Sequence, residues 1–221
     1  MAVRKDGMNT KIKLLTAAAE VFAEKGYQHT TVAEIGQRAD SNLAAVNYHF
    51  GSKDALYVAV WKHAFEEAME VYPPDGGLDP QADPQEKLQA LINSHIHRIL
   101  DDSRLGYAGK ILLQEMSNPT EAIHQVRHDA IQPLLKRTQS IIKELLGSEA
   151  TDQEVVFCEM SVIHQCLAIG FRKGRFPDHT MKEKFTPDVI GTLVEHITRF
   201  SLAGISAVRT NIESRNLQRH L

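Results

Sequence analysis

Residues 30–56 read TTVAEIGQRADSNLAAVNYHFGSKDAL, and this stretch decides the fold. The pattern predicts a short helix, a tight turn, a second short helix and the start of a third. Thr31 is placed to cap the first helix, accepting a bond from an orphan backbone N–H. Val32, Ile35 and Ala39 then share one face at i, i+3 and i+7. Gly36 is the small residue where two helices must approach closely. Asp40, Ser41 and Asn42 make the turn, and Asn42 is the natural N-cap of the second helix. That helix buries Val46 and Phe50 at i, i+4. It leaves Leu43, Ala44, Ala45, Asn47, Tyr48 and His49 to face outward or flank the core. Gly51 and Ser52 end it. Ser52 caps the next helix, with Asp54 in its favourable first turn. A second helix this short and this exposed-looking is not there for the core alone, and the whole reads as a DNA-binding helix-turn-helix.

Outward from this stretch the chain is helix after helix. Ile12, Leu15, Ala19 and Phe22 stripe a preceding helix that Gly26 stops. The Ser52 helix runs through Trp61 and Phe65 toward Met69, until residues 72–77, YPPDGG, break it. Asp83 and Pro84 restart a helix as cap and first residue, with Glu86 placed for a capping box. Further starts are expected at Asn118-Pro119, at Thr151-Asp152-Gln153-Glu154 and at Thr186-Pro187. No segment of period two competes. The expectation is an all-α chain of about nine helices: an N-terminal three-helix domain over residues 1–56 and a larger helical bundle over 57–221.

Composition agrees. The 221 residues are 43% hydrophobic and 24% charged, as in an ordinary globular protein. The formal net charge is −3, so the molecule is not a polycation. The charge is unevenly spread, with Arg4, Lys5, Lys11 and Lys13 opposed near the start only by Asp6. A local excess of this kind suits phosphate contact. Cys158 and Cys166 lie eight apart on one expected helix, about 12 Å along its axis, too far to bridge. They read as reduced core thiols. No transmembrane run and no signal-peptide core stand out, which points to the cytoplasm and to no membrane partner.

Histidine is frequent, at 11 residues. His124 and His128 share a helix face at i, i+4, but a zinc site needs three or four converging ligands, and none is assembled by the pattern. No metal and no cofactor are expected. A nucleophile elbow, a phosphate-binding glycine loop and a CxxC pair are all lacking, so the chain is not expected to be an enzyme.

A family can be named on these residues. Phe22, Gly26-Tyr27, Thr30-Thr31, Ile35, the turn, Tyr48-His49-Phe50 and Ser52-Lys53-Asp54-Ala55-Leu56 together resemble the DNA-binding domain of the TetR family of bacterial transcriptional regulators. The turn departs from the family pattern, with Asp40 where Gly is usual and Ser41 where a small apolar residue is usual. The region from Glu115 through Pro133 to Phe176 resembles the C-terminal domain of the CecR-like subgroup. The resemblance implies a DNA-binding domain at 1–56 and a ligand-binding and dimerisation domain at 57–221.

The resemblance also implies roles. Leu43, Ala44, Ala45 and Asn47 fall where base edges are read, on the helix that Asn42 opens. Leu and Ala touch thymine methyls, whereas Asn can bond adenine N6 and N7. Thr31, Tyr48, His49 and Lys53 fall where phosphates are held. Two late apolar stripes, Val156, Met160, Ile163, Leu167, Gly170 and Phe171 in one helix and Val189, Leu193, Ile197, Phe200 and Gly204 in the other, fit an intrachain core as well as an interface when taken alone. TetR-like regulators pair these two helices with those of a second subunit, which makes Met160, Ile163, Leu167, Phe171, Leu193, Ile197 and Phe200 the expected homodimer contacts. They also hold an inducer in the middle helices, where Trp61, Phe65, His97, Tyr107, Leu112 and Met116 are the candidate contacts to a small organic effector. On residue pattern alone these too fit a filled core.

Two readings of different class remain at this level. One is a ligand-responsive homodimeric repressor of a palindromic double-stranded DNA operator. The other is a helical ligand-binding or metal-dependent enzyme whose N-terminal motif is coincidental. Outward Asn47, Tyr48 and His49 beside Lys53 favour the first, since an enzyme has no use for them there.

Overall fold

A computed structural model of the chain describes residues 2–175 and 185–219. Phe176, where the second resemblance ends, lies outside the described residues. All regular structure among the described residues is helical: α1 (Ala2–Lys25), α2 (Val32–Arg38), α3 (Leu43–Phe50), α4 (Lys53–Val71), α5 (Pro84–Leu100), α6 (Tyr107–Ser117), α7 (Ile123–Val126), α8 (Gln132–Leu146), α9 (Asp152–Arg175) and α10 (Pro187–Arg219). Nine of these have seven residues or more, and α7 is a single turn followed by a π segment, Arg127–Ile131.

The helix ends fall where the side chains dictate. Gly26 closes α1 at φ 74°, a conformation natural to glycine. The Thr151 hydroxyl accepts from Glu154 N–H at 3.2 Å while the Glu154 carboxylate accepts from Thr151 N–H at 2.8 Å, a complete capping box at the start of α9. Asp83 accepts from Gln85 N–H at 2.8 Å ahead of α5, and Thr186 from Val189 N–H at 3.4 Å ahead of α10. The start expected at Asn118-Pro119 is not one. Asn118 closes α6 through a bond from its N–H to Gln114 O at 2.8 Å, and α7 begins only at Ile123. The cause is Glu115, whose carboxylate takes both the N–H and the hydroxyl of Thr120 at 2.8 and 3.0 Å and folds this segment back on α6.

The chain forms two compact units. The first holds Met1–Val71 and Asp101–Ile131, and its core is Leu14, Phe22, Ile35, Val46, Leu56, Tyr57, Val60, Trp61 and Ile111. Leu15, Ala19 and Phe22 face inward as the stripe required, whereas Ile12 is 48% exposed. The second unit holds Tyr72–Leu100 and Gln132–Leu221, with Leu88, Leu91, Ile92, Ile96, Ile142, Val162, Cys166 and Ile197 at its centre. The sequence places a domain boundary after residue 56. It falls within α4, where both Leu56 and Tyr57 are buried, so packing divides the chain elsewhere.

Both cysteines are free and buried on α9, and burial pushes the Cys166 thiol up to about 12. By length and composition, the stretch Asp152–Arg172 of α9 is apolar enough to cross a membrane, contrary to the expectation that no such run exists. Its inner face supplies Val155, Cys158, Val162, Cys166 and Ile169 to the core of its unit, which accounts for the apolar composition.

Candidate nucleic-acid interface

The turn between α2 and α3 is built as the sequence requires. Thr31 Oγ1 accepts from Glu34 N–H at 3.2 Å and caps α2. Asn42 Oδ1 accepts from Ala45 N–H at 2.8 Å and caps α3. A Cβ on Gly36 would stand 3.1 Å from Ser41 O, so a larger residue would push the turn away from α2. Asp40 takes φ 50°, the left-handed conformation that glycine adopts freely and aspartate adopts at some cost. Ser52 Oγ accepts from Ala55 N–H at 3.1 Å and caps α4 directly after Gly51, which turns at φ 75°.

α3 gives little to the core. Val46 is buried, and Phe50, Ala45 and His49 are half-buried. Asn42, Leu43, Ala44, Asn47 and Tyr48 are exposed, Leu43 at 50% and Tyr48 at 85%. Tyr48 therefore does not pack between helices. Its ring stands nearly perpendicular to that of His49, 5.1 Å between centroids. A short helix, capped at both ends and showing Leu43, Ala44, Asn47 and Tyr48 to solvent, can enter a major groove and offer methyl contacts and a two-point amide to base edges.

The cations around it are not equivalent. Lys25 pairs with Glu34, and Arg38 with Glu20 at 3.0 Å and Glu24 at 3.6 Å. Those charges join α1 to α2. Lys53 makes no ion pair among the described residues, and its Nζ lies 4.1 Å from the centroid of the Tyr27 ring. Partial burial lowers its pKa, against an opposing pull from Asp54. It opens α4, where unpaired N–H groups already favour an anion. Lys11 on α1 lies 5.9 Å from the Phe50 ring centroid.

Tyr27 was legible only as part of the family pattern, yet it joins much of this region. Its hydroxyl donates to Asp54, which holds its own proton up to about 12. Its ring stacks on Phe22 at 6.3 Å and meets Tyr57 edge-on at 5.0 Å. The buried Tyr57 hydroxyl donates to Glu115 at 2.6 Å, and burial, then this bond, raises its pKa far beyond the ordinary phenol range. Gln114 Nε2 donates to Ala23 O at 3.0 Å, satisfying a carbonyl in the last turn of α1. Trp61 Nε1 donates to Ala108 O at 3.1 Å. α6 is thus bonded to α1 and α4 within the first unit.

The candidate effector contacts divide. Trp61 is 1% exposed and its ring stacks on Phe65, 4.7 Å between centroids, so it is core rather than an open wall. Phe65, Tyr107 and Leu112 are half-buried and Met116 is 44% exposed, all in the first unit. His97 lies on α5 in the second unit, bonded to Asn93 O at 2.9 Å and set against Tyr72. Five of the six thus belong to the first unit and His97 to the second.

The candidate dimer contacts divide as well. Ile163 and Ile197 are buried in the core of their own unit, and Leu167 and Leu193 pack against it. They pack against the chain's own helices. Phe171 is half-buried. Met160 and Phe200 are uncovered, at 47% and 64%. Phe157, at 56%, belongs with them and escaped notice. Its signal was a second stripe on α9, with Phe157, Met160, His164 and Ala168 all exposed at near-helical spacing.

Residues 14–60 match the family model described as bacterial regulatory proteins, tetR family, and residues 84–205 match the HTH-type transcriptional dual regulator CecR, C-terminal domain. The HTH-type transcriptional dual regulator CecR of Shigella flexneri is 29% identical over 182 residues, 76% of this chain and 78% of that one. A TetR-like transcriptional regulator from Rhodococcus sp. RHA1 has the same fold, with a TM-score of 0.64 at 16% identity over 89% of this chain and 96% of that one. AibR in complex with isovaleryl coenzyme A and operator DNA gives a TM-score of 0.64 at 16% identity, over 86% and 96%.

Proposed function

The chain belongs to the TetR family of bacterial transcriptional regulators and carries a CecR-type C-terminal domain, and from that premise we propose that it is a cytoplasmic, ligand-responsive homodimeric repressor. It binds a palindromic operator through α3 and is released by a small organic effector. The observation that carries the reading is α3 itself, a capped helix with one buried residue and an outward face of Leu43, Ala44, Asn47 and Tyr48. Asn47 reads a base edge. Leu43, Ala44 and Ala45 touch methyl groups. Thr31, Tyr48, His49 and Lys53 grip phosphates on either side. Residues 1–56 carry this role, and 57–221 carry the effector and dimer roles.

Two α3 helices must reach successive major grooves roughly 34–36 Å apart, or a multiple of that, so the reading needs a dimer. The uncovered Phe157, Met160 and Phe200 on α9 and α10 supply its apolar contact. An effector acts through α6, which is bonded to α1 and α4 by Gln114, Glu115 and Ala108. Phe65, Tyr107 and Leu112 offer it a largely apolar surface. The AibR complex supports the principle that this fold serves both an acyl-coenzyme A ligand and operator DNA. By linkage the effector binds the DNA-free form better, and a 100-fold preference is worth about 2.7 kcal/mol.

The test is a compound screen by thermal shift, with each hit re-measured for DNA binding by fluorescence anisotropy. Hits that stabilise the protein and lower operator affinity support the switch. Hits that stabilise it and leave affinity unchanged refute it.

A further inference from the structure

Lys53 and Asp54 are neighbours of opposite charge at the start of α4, and between them they could neutralise each other. A single side chain engages both. The Tyr27 hydroxyl donates to Asp54 Oδ1, while the face of the same ring lies 4.1 Å from Lys53 Nζ. Tyr27 is itself held still, stacked on Phe22 and braced edge-on by Tyr57. An aromatic face attracts an ammonium without accepting its hydrogens, so the three N–H donors of Lys53 stay available. A carboxylate in the same place would take those donors and cancel the charge. Lys25 and Arg38, close by in the same unit, show that outcome in their pairs with Glu34, Glu20 and Glu24.

We propose that Tyr27 is a positioning residue for DNA binding: its hydroxyl occupies Asp54 and its ring carries Lys53, so that Lys53 meets a DNA phosphate charged and with its donors free. This rests on the DNA-binding reading above and adds a residue that touches no DNA. The phosphate contact is sequence-independent, so it appears in the salt dependence of binding to any duplex.

The experiment measures binding of the full chain to a mixed-sequence duplex across a salt series for wild type, Tyr27→Phe, Asp54→Asn and the double variant. Tyr27→Phe keeps the ring and its contacts with Phe22 and Tyr57 and removes only the hydroxyl. Asp54 is then free to pair with Lys53. Affinity falls about three- to tenfold, and the slope of log K against log salt becomes shallower by about one phosphate contact per subunit. Adding Asp54→Asn to Tyr27→Phe restores both affinity and slope, which a packing role for Tyr27 would not produce. Wild-type behaviour of Tyr27→Phe overturns the proposal, as does a loss that Asp54→Asn fails to rescue. A wild-type protein that binds no duplex even at low salt fails the DNA-binding reading itself, and this proposal with it.

Discussion

The outer face of α3 and the outer faces of α9 and α10 are both left uncovered by the chain, but they are made of different residues. α3 shows Leu43, Ala44, Asn47 and Tyr48, small apolar groups interleaved with hydrogen-bonding ones, on a helix of eight residues capped at both ends. α9 and α10 show Phe157, Met160 and Phe200 on helices of 24 and 33 residues, with Ala168, Ala203 and Gly204 exposed nearby. Exposure alone assigns neither surface. A short rigid helix with amide and hydroxyl groups matches the edges of base pairs, whose polar atoms it can satisfy. Large apolar groups over small ones on long helices match another protein surface, because water gives them nothing.

The largest effect expected breaks the second surface. Phe157→Asp with Phe200→Asp places two charges on side chains that are more than half exposed, so each subunit keeps its fold. Light scattering then finds a monomer, and operator affinity falls on the order of 100-fold or more as the two half-sites lose their linkage. A double variant that stays dimeric and binds normally would make the apolar face irrelevant to assembly.

The next effect separates roles within the first surface. Asn47→Ala weakens operator binding by roughly 1–3 kcal/mol per half-site and leaves non-specific binding nearly intact. Lys53→Ala weakens binding to every sequence and flattens its salt dependence. Equal behaviour of the two variants across sequences would contradict the proposed division of roles.

Acid sharpens the contrast between exposed and buried polar groups. His95 on α5 is 9% exposed, with Nδ1 at 3.0 Å from Leu91 O and 3.4 Å from Arg98 Nη2. Burial, and then the Arg98 charge, lower its pKa from 6.5 to about 3. The unfolded chain therefore takes up a proton that the folded one refuses. The contribution to stability is whole above pH 6.5 and is lost as pH falls toward 3. Urea unfolding between those limits should show a slope from this group of up to about 1.4 kcal/mol per pH unit, and His95→Gln should remove it. An unchanged slope in His95→Gln would place the acid sensitivity elsewhere.

The smallest effect is at the turn that sets α3. Asp40→Gly relieves a left-handed residue and should raise stability by about 0.5–1 kcal/mol with little change in DNA affinity, read from the urea midpoint. Destabilisation by this change would mean that the Asp40 side chain contributes more than its backbone costs.

Much of the first surface was legible because its signals are local. Thr31, Asn42 and Ser52 cap within three residues, and Gly36, Gly51 and Asp40 declare their backbone needs in sequence. The helical class and the breaks at Gly26 and at residues 72–77 followed from the same kind of signal. The second surface was harder to read. A long helix with apolar residues on two sides hides which side meets its own chain, so the burial of Ile163 and Ile197 and the exposure of Phe157 could not be told apart by pattern. The burial of the effector candidates was no easier to read, because half-burial of Phe65, Tyr107 and Leu112 depends on what packs beside them. Tyr27 and Glu115 act through partners 27 and 58 residues away, Asp54 and Tyr57, a distance at which no local pattern speaks.

One measurement bears most directly on the claim that two copies of α3 read one operator. Purified full-length protein is offered a pool of random duplexes, and bound sequences are selected and read. The account expects enrichment of an inverted repeat whose half-sites are separated by one helical turn or a multiple of it, and loss of that enrichment in Asn47→Ala. Enrichment of a lone half-site, or of no sequence at all above the salt-sensitive background, would contradict it.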